Sequence, residues 1–439
     1  MSSQASSNIV AGSWTSYVRD IYASRKPPPP IGTVDMASFE AAAREKLKDN
    51  EHAFMYVFGS AGTYSTYEAN MAEMKAWKVI PRMLRNATTR NVNTTLFGIE
   101  HPSPLLFAPI GVQGIMHPEG DAATAAVAAK LQIPFILSTA ATRSIETVAK
   151  VNGSGHRWYQ LYWPKTDDVT LSLLSRAKAS GYSALVVTLD TPTIGWRPHD
   201  LQAGYLPFLH GIGIQIGLTD PVFMRSFGEE PDSHDEVPKF PYDYAALNAA
   251  AAKGDKRVLR LMKLGSGWLG ETSNGVMRDW PELKLLRDNW DGPIILKGIQ
   301  DVEDAQLAIK HGMNGIVVSN HGGRQVDGAI PSLHALYNIC SDETIKSAQA
   351  SGKLTVLFDS GIRTGSDIIK AVALGADAVL LGRPFMYGLC VGGQQGVETV
   401  VRSILADLEL TLGLTGYKTL DEIRGKGSKI ITRLDQSKF

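Results

Sequence analysis

The sequence predicts an α/β chain built on a closed (β/α)8 TIM barrel, with a helical extension before it and a long lid-like insertion after the fourth strand. Three observations carry that reading. From Leu105 onward, short apolar runs alternate with helix-like stretches, and eight such runs can be counted, at 105–111, 134–139, 158–163, 184–190, 293–298, 315–320, 354–361 and 378–384. Alternating strands and helices imply parallel strands with right-handed crossovers, and eight such units close a barrel. An open doubly wound sheet is the alternative, but the glycine-rich dinucleotide fingerprint that would follow its first strand is missing. Finally, about a hundred residues separate Asp190 from Pro293, far more than an ordinary loop holds. The two flanking strands belong to one alternating series. That favours an excursion over the barrel's active face, at about 191–292, rather than a separate small domain.

The elements before the barrel follow from local signals. Residues 1–34 read as a partly flexible arm, because Pro27 to Pro30 make a stiff run that cannot be helical. Asp35 is placed to cap a helix through Phe39, Ala43 and Leu47, and opens the main domain, 35–424. An aromatic then glycine-rich stretch follows, Tyr56-Val57-Phe58-Gly59-Ser60-Ala61-Gly62; spacing alone favours Tyr56 as a core aromatic. A second helix is expected from about Thr66 to Ala76, ending before Pro81. Crossover helices are expected at 120–131, 166–180, 302–311 and 366–374, and a C-terminal tail at 425–439.

Composition narrows the function. At 439 residues the chain can bury a large core. Its 44 basic and 44 acidic residues leave no electrostatic footprint for nucleic acid or an anionic membrane. Two cysteines, Cys340 and Cys390, argue against a disulfide framework or a thiolate metal site and for a reducing, intracellular compartment. No run is apolar enough to span a bilayer, and Met1 to Ala11 lacks a secretory signal's basic start and apolar run. The last residues, Ser437-Lys438-Phe439, come close to the peroxisomal Ser-Lys-Leu address, so the location is cytoplasmic or peroxisomal.

Chemistry concentrates where the strands end, which is where this fold places its sites. Gly111, Ser138, Gln160, Tyr162, Thr188, Asp190, Lys297, Ser319, His321, Asp359, Gly361, Gly382 and Arg383 all follow apolar runs. In Ser319-Asn320-His321-Gly322-Gly323-Arg324, an imidazole able to take a proton near neutral pH stands three residues from a guanidinium able to grip a carboxylate. The pair suits proton abstraction from a small acid. Asp359-Ser360-Gly361-Ile362-Arg363 and Gly382-Arg383 offer backbone N–H groups, two arginines and a helix start to a phosphate. Lys297 ends a buried strand and calls for a facing anion. Reduced flavin mononucleotide meets the phosphate and anion requirements, and Ser138, Gln160 and Thr188 could hydrogen-bond its ring. Pyridoxal phosphate on Lys297 is the alternative, though it leaves those three residues less to do.

These motifs resemble the FMN-dependent 2-hydroxy-acid oxidase family, which includes glycolate oxidase, lactate oxidase and lactate monooxygenase. The likeness runs from about Asp35 to Arg424 through Tyr56-Val-Phe-Gly-Ser-Ala-Gly, Ala108-Pro-Ile-Gly, Tyr159-Gln-Leu-Tyr162, Thr188-Leu-Asp-Thr, Leu296-Lys-Gly, Ser319-Asn-His-Gly-Gly-Arg324, Asp359-Ser-Gly-Ile-Arg363 and Gly382-Arg-Pro. Gly195-Trp-Arg-Pro-His-Asp-Leu201 and Asp220-Pro-Val-Phe223 look most like lactate 2-monooxygenase. The resemblance implies FMN, a lactate-like L-2-hydroxy acid and O2 as acceptor, with oxidative decarboxylation of a retained keto acid as in lactate 2-monooxygenase, or release of keto acid and peroxide as in an oxidase. It makes His321 the base and Asp190 the carboxylate behind it. Tyr56, Arg197 and Arg324 would hold the substrate carboxylate, and Tyr162 its hydroxyl. Lys297 would stabilise the reduced ring. Ala108, Pro109, Ile110, Gly111, Ser138, Gln160, Thr188 and Ser319 would contact the flavin, and Asp359, Ser360, Gly361, Arg363, Gly382 and Arg383 its ribityl-phosphate end. No metal is implied, and a homo-oligomer, tetramer or octamer, is. Ala140 stands where glycolate-oxidising members carry tryptophan, and Gly111 where many carry alanine, as in lactate monooxygenase. A dehydrogenase passing electrons to a quinone or haem partner, and a non-enzymatic flavin scaffold, are the competing readings.

Overall fold

The computed structural model describes residues 14–434. Eight parallel strands close into a barrel: β1 (Leu105–Phe107), β2 (Phe135–Ser138), β3 (Arg157–Tyr162), β4 (Leu185–Thr188), β5 (Ile294–Ile299), β6 (Gly315–Val318), β7 (Thr355–Phe358) and β8 (Ala378–Leu381). Each pairs in parallel with the next, and β8 pairs with β1, so no edge is left. All four residues of β2, β4, β6 and β8 are buried, because helices cover the outside and side chains fill the inside. Leu106, Ile136, Trp158, Val186, Ile295, Val317, Leu357 and Leu380 pack inside the barrel, while neighbours such as Leu105 and Phe107 pack outward. The alternation is the strand period of two.

The barrel floor is closed by a hairpin, Thr94–Leu96 with Ile99–His101. Its turn residues, Phe97 and Gly98, both have positive φ (50° and 81°), as a tight two-residue hairpin demands. Leu96 and Phe97 plug the interior from below.

Before the barrel, Asp35 caps Met36–Lys46 as expected, its side chain accepting from the Ser38 N–H. Buried Phe39 and Ala43 face the core. The arm also carries a helix, Ser16–Ser24, ahead of the prolines, with no buried residue. Tyr56 lies on a helix, Glu51–Phe58, that spacing alone did not reveal, and the next helix runs Ser65–Ala76. Past the barrel, Arg383–Leu414 is one long element kinked at Gly392 and Gly393. The tail region contributes a short strand, Ile431–Arg433, paired antiparallel with Trp77–Val79. The candidate peroxisomal address at 437–439 and the Met1–Ala11 stretch lie outside the described residues.

The excursion after β4 folds into short helical turns and one long helix, Lys256–Thr272, before Leu283–Asn289 leads into β5. Glycines let these pieces meet closely. A Cβ on Gly265 would overlap the Phe208 carbonyl oxygen, and one on Gly217 would lie 2.5 Å from the Trp268 ring. The described residues contain no helix long and apolar enough to cross a membrane.

Candidate active site

At the C-terminal end of the barrel lies a cavity of about 180 Å³. His321 stands at its wall just past β6. The turn that carries it is unusual, because His321 itself has φ +57°, followed by Gly322 and Gly323, also at positive φ. A non-glycine residue there is strained and needs surrounding bonds to hold it. Those bonds are present. The His321 N–H donates to Ser319 Oγ (3.1 Å), and Nδ1 lies 2.8 Å from Asp190 Oδ1. Thr191 Oγ1 donates to the same Asp190 oxygen and lies 3.2 Å from Nδ1. With Nδ1 committed to Asp190, Nε2 is the nitrogen left for the cavity.

The electrostatics suit a base. Burial pushes the His321 pKa down and Asp190 pushes it up; Lys297 and Arg197 add to burial, and the result lies below the ordinary 6.5. The Asp190 pairing therefore does not raise the proton affinity of His321 overall, as the pair alone would, because desolvation outweighs it. Burial alone would raise the Asp190 carboxyl, but His321 and Lys297 hold it well below the usual carboxylate range. Near pH 7 the pair is a neutral imidazole beside an anionic carboxylate.

Arg197, Arg324, Tyr56 and Tyr162 line the same cavity and bring two guanidiniums and two phenols together. Arg324 donates to the carbonyls of Gly59 (2.8 Å) and Val57 (3.4 Å), and its guanidinium lies over the Tyr56 ring at 5.6 Å. Arg197 donates to the Arg324 carbonyl (3.0 Å) and to Gln325 Oε1 (2.8 Å). Burial, Arg197 and Arg383 together lower the Arg324 pKa to about 9. Crowded guanidiniums store repulsion that an incoming carboxylate relieves. Burial raises the Tyr56 hydroxyl to about 12 and raises Tyr162 as well, so both stay protonated donors. Neither hydroxyl has a protein hydrogen-bond partner among the described residues.

The opposite end is built from β5, β7 and β8. Lys297 is buried, donates to Ser319 Oγ (3.1 Å) and lies 3.5 Å from Asp359 Oδ2. Burial would lower its pKa, yet Asp359 and Asp190 raise it, so it stays cationic. Asp359, Ser360, Gly361, Arg363, Gly382 and Arg383 line this end, and Ala108 to Gly111 line the cavity beside them. Ser360 and Gly361 both have positive φ (76° and 141°), turning the backbone sharply after β7. The helix Gly365–Leu374 starts here behind a Thr364–Asp367 capping box. The Arg383 side chain is spent on the carbonyls of Val57, Gly59 and Gly322, so it braces the turns around the site.

The structure brings most of the expected residues to one cavity and sets a few behind it. Ser138, Gln160, Thr188, Asp190 and Ser319 do not line it. Gln160 Nε2 donates to Thr188 Oγ1 (3.0 Å), Gln160 Oε1 accepts from the Thr139 N–H (3.1 Å), and Ser138 Oγ accepts from the Ala140 N–H (3.1 Å). Two participants went unread in the sequence, and a third, Thr191, was read only as a motif residue without a role. Thr191 steadies the Asp190–His321 pair. Gln325 accepts from Arg197 and Gly195 and donates to the carbonyls of Asp190 and Thr193, tying the His–Asp pair and the arginines together. Phe208 comes from the excursion. Thr191 closes the Thr188-Leu-Asp-Thr motif and Gln325 directly follows Arg324, so adjacency was Gln325's only signal; Phe208 had none.

A parallel barrel whose C-terminal cavity gathers a His–Asp pair, two arginines and a buried lysine beside glycine turns fits a flavin-dependent oxidoreductase of 2-hydroxy acids. The comparisons agree. Residues 43–430 match the FMN-dependent dehydrogenase family. The chain is 44% identical over 391 residues to the FMN-dependent alpha-hydroxy acid dehydrogenase qulF of Penicillium citrinum, covering 89% of each chain. It is 36% identical over 388 residues to an L-lactate oxidase of Lysinibacillus sphaericus, covering 88% of this chain and 90% of that one. Among solved structures, mandelate oxidase with benzoyl-formic acid superposes with a TM-score of 0.70 at 32% identity, over 90% of this chain and 97% of that one. The chain belongs to the FMN-dependent 2-hydroxy-acid oxidase and dehydrogenase family.

FMN is therefore the cofactor, and the residues present fit it. A Cβ on Gly382 would meet only Ile110 Cδ1, at 3.7 Å, so the backbone there is open to a ligand. Buried Lys297 supplies a cation, and the turns at 359–363 and 382–383 supply N–H groups at helix starts. Among the described residues no cluster of three or more His, Cys, Asp or Glu side chains could hold a metal ion.

Proposed function

We propose that the chain oxidises an L-2-hydroxy acid to its keto acid and passes the electrons to O2. The single observation that carries the assignment is His321, held by Asp190 at 2.8 Å and facing the same cavity as Arg197 and Arg324. Bound FMN supplies the two-electron acceptor. Arg197, Arg324 and Tyr56 hold the substrate carboxylate and Tyr162 orients the hydroxyl, which fixes the α-carbon and is largely a proximity effect. His321 Nε2 takes the hydroxyl proton, and Asp190 stabilises the imidazolium formed. Lys297 places positive charge beside the cofactor, and the 359–363 and 382–383 turns hold its phosphate. Ser138, Gln160, Thr188 and Ser319 support the ring through the bonded network behind it. Replacing His321 with Ala should abolish anaerobic flavin bleaching by a 2-hydroxy acid while the purified protein stays yellow. Bleaching at the parent's rate would sink the base assignment. Oxygen uptake by the purified protein with acid alone supports O2 as acceptor; uptake only with a quinone or haem partner overturns it.

A second reading concerns the product and rests on Gly111. A Cβ there would lie 2.5 Å from Ala140 Cβ, so the glycine lets the β1 and β2 ends pack closely beside the cavity. Glycine at this position resembles lactate 2-monooxygenase, and that resemblance implies a keto acid retained until hydrogen peroxide decarboxylates it to a shorter acid, carbon dioxide and water. Single turnover with labelled lactate decides: acetate supports this outcome, and pyruvate with peroxide the oxidase one. A homo-oligomer and a cytoplasmic or peroxisomal location complete the proposal, to be checked by sedimentation and by imaging with and without residues 437–439.

A further inference from the structure

We infer that the acid this site prefers is a monocarboxylate whose side chain is apolar and larger than lactate's methyl group, branched aliphatic or aryl. The inference rests on the hydroxy-acid reading above and deepens it. Once the carboxylate lies in the Arg197–Arg324 clamp and the hydroxyl at His321 and Tyr162, the third substituent on the α-carbon must point at the remaining wall. That wall is Ala140 from the β2 end together with Ile194, Phe208, Leu269 and Thr272 from the excursion. None of these carries charge. Every charged side chain lining the cavity belongs to the clamp, to the base, or to the Lys297 end and its phosphate turns. A second carboxylate, as in a hydroxy diacid, would lose its water and find no partner.

The wall is built firmly rather than left as a mobile flap. Gly265 brings the helix Lys256–Thr272 against the Phe208 carbonyl, where any side chain would overlap it. Trp268, buried on the same helix, is wedged edge-on against Phe223 with ring centroids 4.9 Å apart. Gly213 lets the chain after Phe208 close onto Val112 and the Ala140 carbonyl. Phe208 is thus fixed between the helix and the β2 end, and both it and Ala140, the smallest side chain of this wall, line the cavity.

The test uses the purified FMN-loaded protein under anaerobic conditions, following flavin bleaching with L-lactate, L-2-hydroxyisocaproate, (S)-mandelate and L-malate. Second-order reduction by the isocaproate or the mandelate should exceed that by lactate by ~10-fold or more, the scale on which an apolar pocket reads extra carbon. Malate should be the slowest. Lactate as fast as both larger acids, or malate as fast as lactate, would overturn the inference while leaving the hydroxy-acid reading intact. Bleaching by none of the four would overturn that reading instead. Phe208→Leu and Phe208→Ala, each checked for bound FMN, should lower the mandelate-to-lactate ratio in that order. An unchanged ratio in both would overturn Phe208's place in the wall.

Discussion

His321 sits in a backbone conformation that residues other than glycine rarely adopt, and the turn that imposes it is what aims its free nitrogen. The ordinary 6.5 of histidine is lowered here by burial and by the Lys297 and Arg197 charges against the pull of Asp190. A general base works only when neutral, so kcat/KM should be flat through neutral pH and fall as pH drops below the ordinary imidazole range. Asp190→Asn removes the one group that raises the His321 pKa, so it should move that acid limb further down while lowering the plateau. A limb that moves up would contradict the electrostatics. Arg324 makes a separate case. Its guanidinium reaches two backbone carbonyls and the Tyr56 ring face at once. Lysine keeps the charge but cannot span these partners. Arg324→Lys should therefore weaken binding of the acid by ~1–3 kcal/mol, the worth of a charge-assisted bond. An unchanged substrate dissociation constant would remove Arg324 from the clamp.

The element behind the proposed phosphate end is the helix Gly365–Leu374, and its position depends on a missing side chain. A Cβ on Gly365 would overlap the backbone N–H of Leu408 on the long C-terminal helix, and the Gly365 N–H itself donates to Asp407 Oδ2 at 2.6 Å. Gly365→Ala should cost ~1–3 kcal/mol as overpacking, and should release FMN at a lower urea concentration than the parent. Loss of stability with FMN affinity intact would show that this helix start does not serve the cofactor. How much of this was legible follows the same divide between local and tertiary causes. The eight strands were readable because each is a short apolar run closed by a polar or small residue, and Asp35 because capping is a three-residue interaction. The 359–363 and 382–383 turns were readable for the same reason. The packing partner of Gly365 lies over forty positions away, and nothing near either residue announces it. Phe208 likewise enters the cavity only because Gly265, on another helix, allows a close approach. Gln160 and Thr188 were correctly placed at neighbouring strand ends, but their bond to each other depends on β3–β4 register, which hydrophobic pattern alone leaves open.

Across the whole molecule, chemistry and stability are divided between the two ends of the barrel. The C-terminal end carries strained turns, buried cations and open hydroxyls. The floor is a hairpin plug, and against it His101 stacks on His156, ring centroids 4.9 Å apart and planes within 19°. Burial, with a smaller contribution from His156, lowers the His101 pKa to about 4, and burial with Arg157 lowers that of His156. The fold thus holds both rings neutral, and an unfolded chain would protonate them near 6.5. Because the folded pKa lies below the unfolded one, this contribution is complete above pH 6.5 and is lost as pH falls toward about 4. For His101 it amounts to at most ~3 kcal/mol. Carboxylates of the active end also protonate in that range, so the parent's acid loss alone does not isolate the floor. His101→Phe keeps an aromatic ring for the stack and removes the titration. The stability difference between this variant and the parent, from urea unfolding at pH 7.5 and pH 4.5, should shift in the variant's favour by ~1–3 kcal/mol on acidification. His321 chemistry, measured at pH 7.5, should be the same in both, since the floor and the base lie at opposite ends of the strands. A difference that does not change with pH would mean that His101 is not held neutral, and that the floor takes no part in the molecule's acid sensitivity.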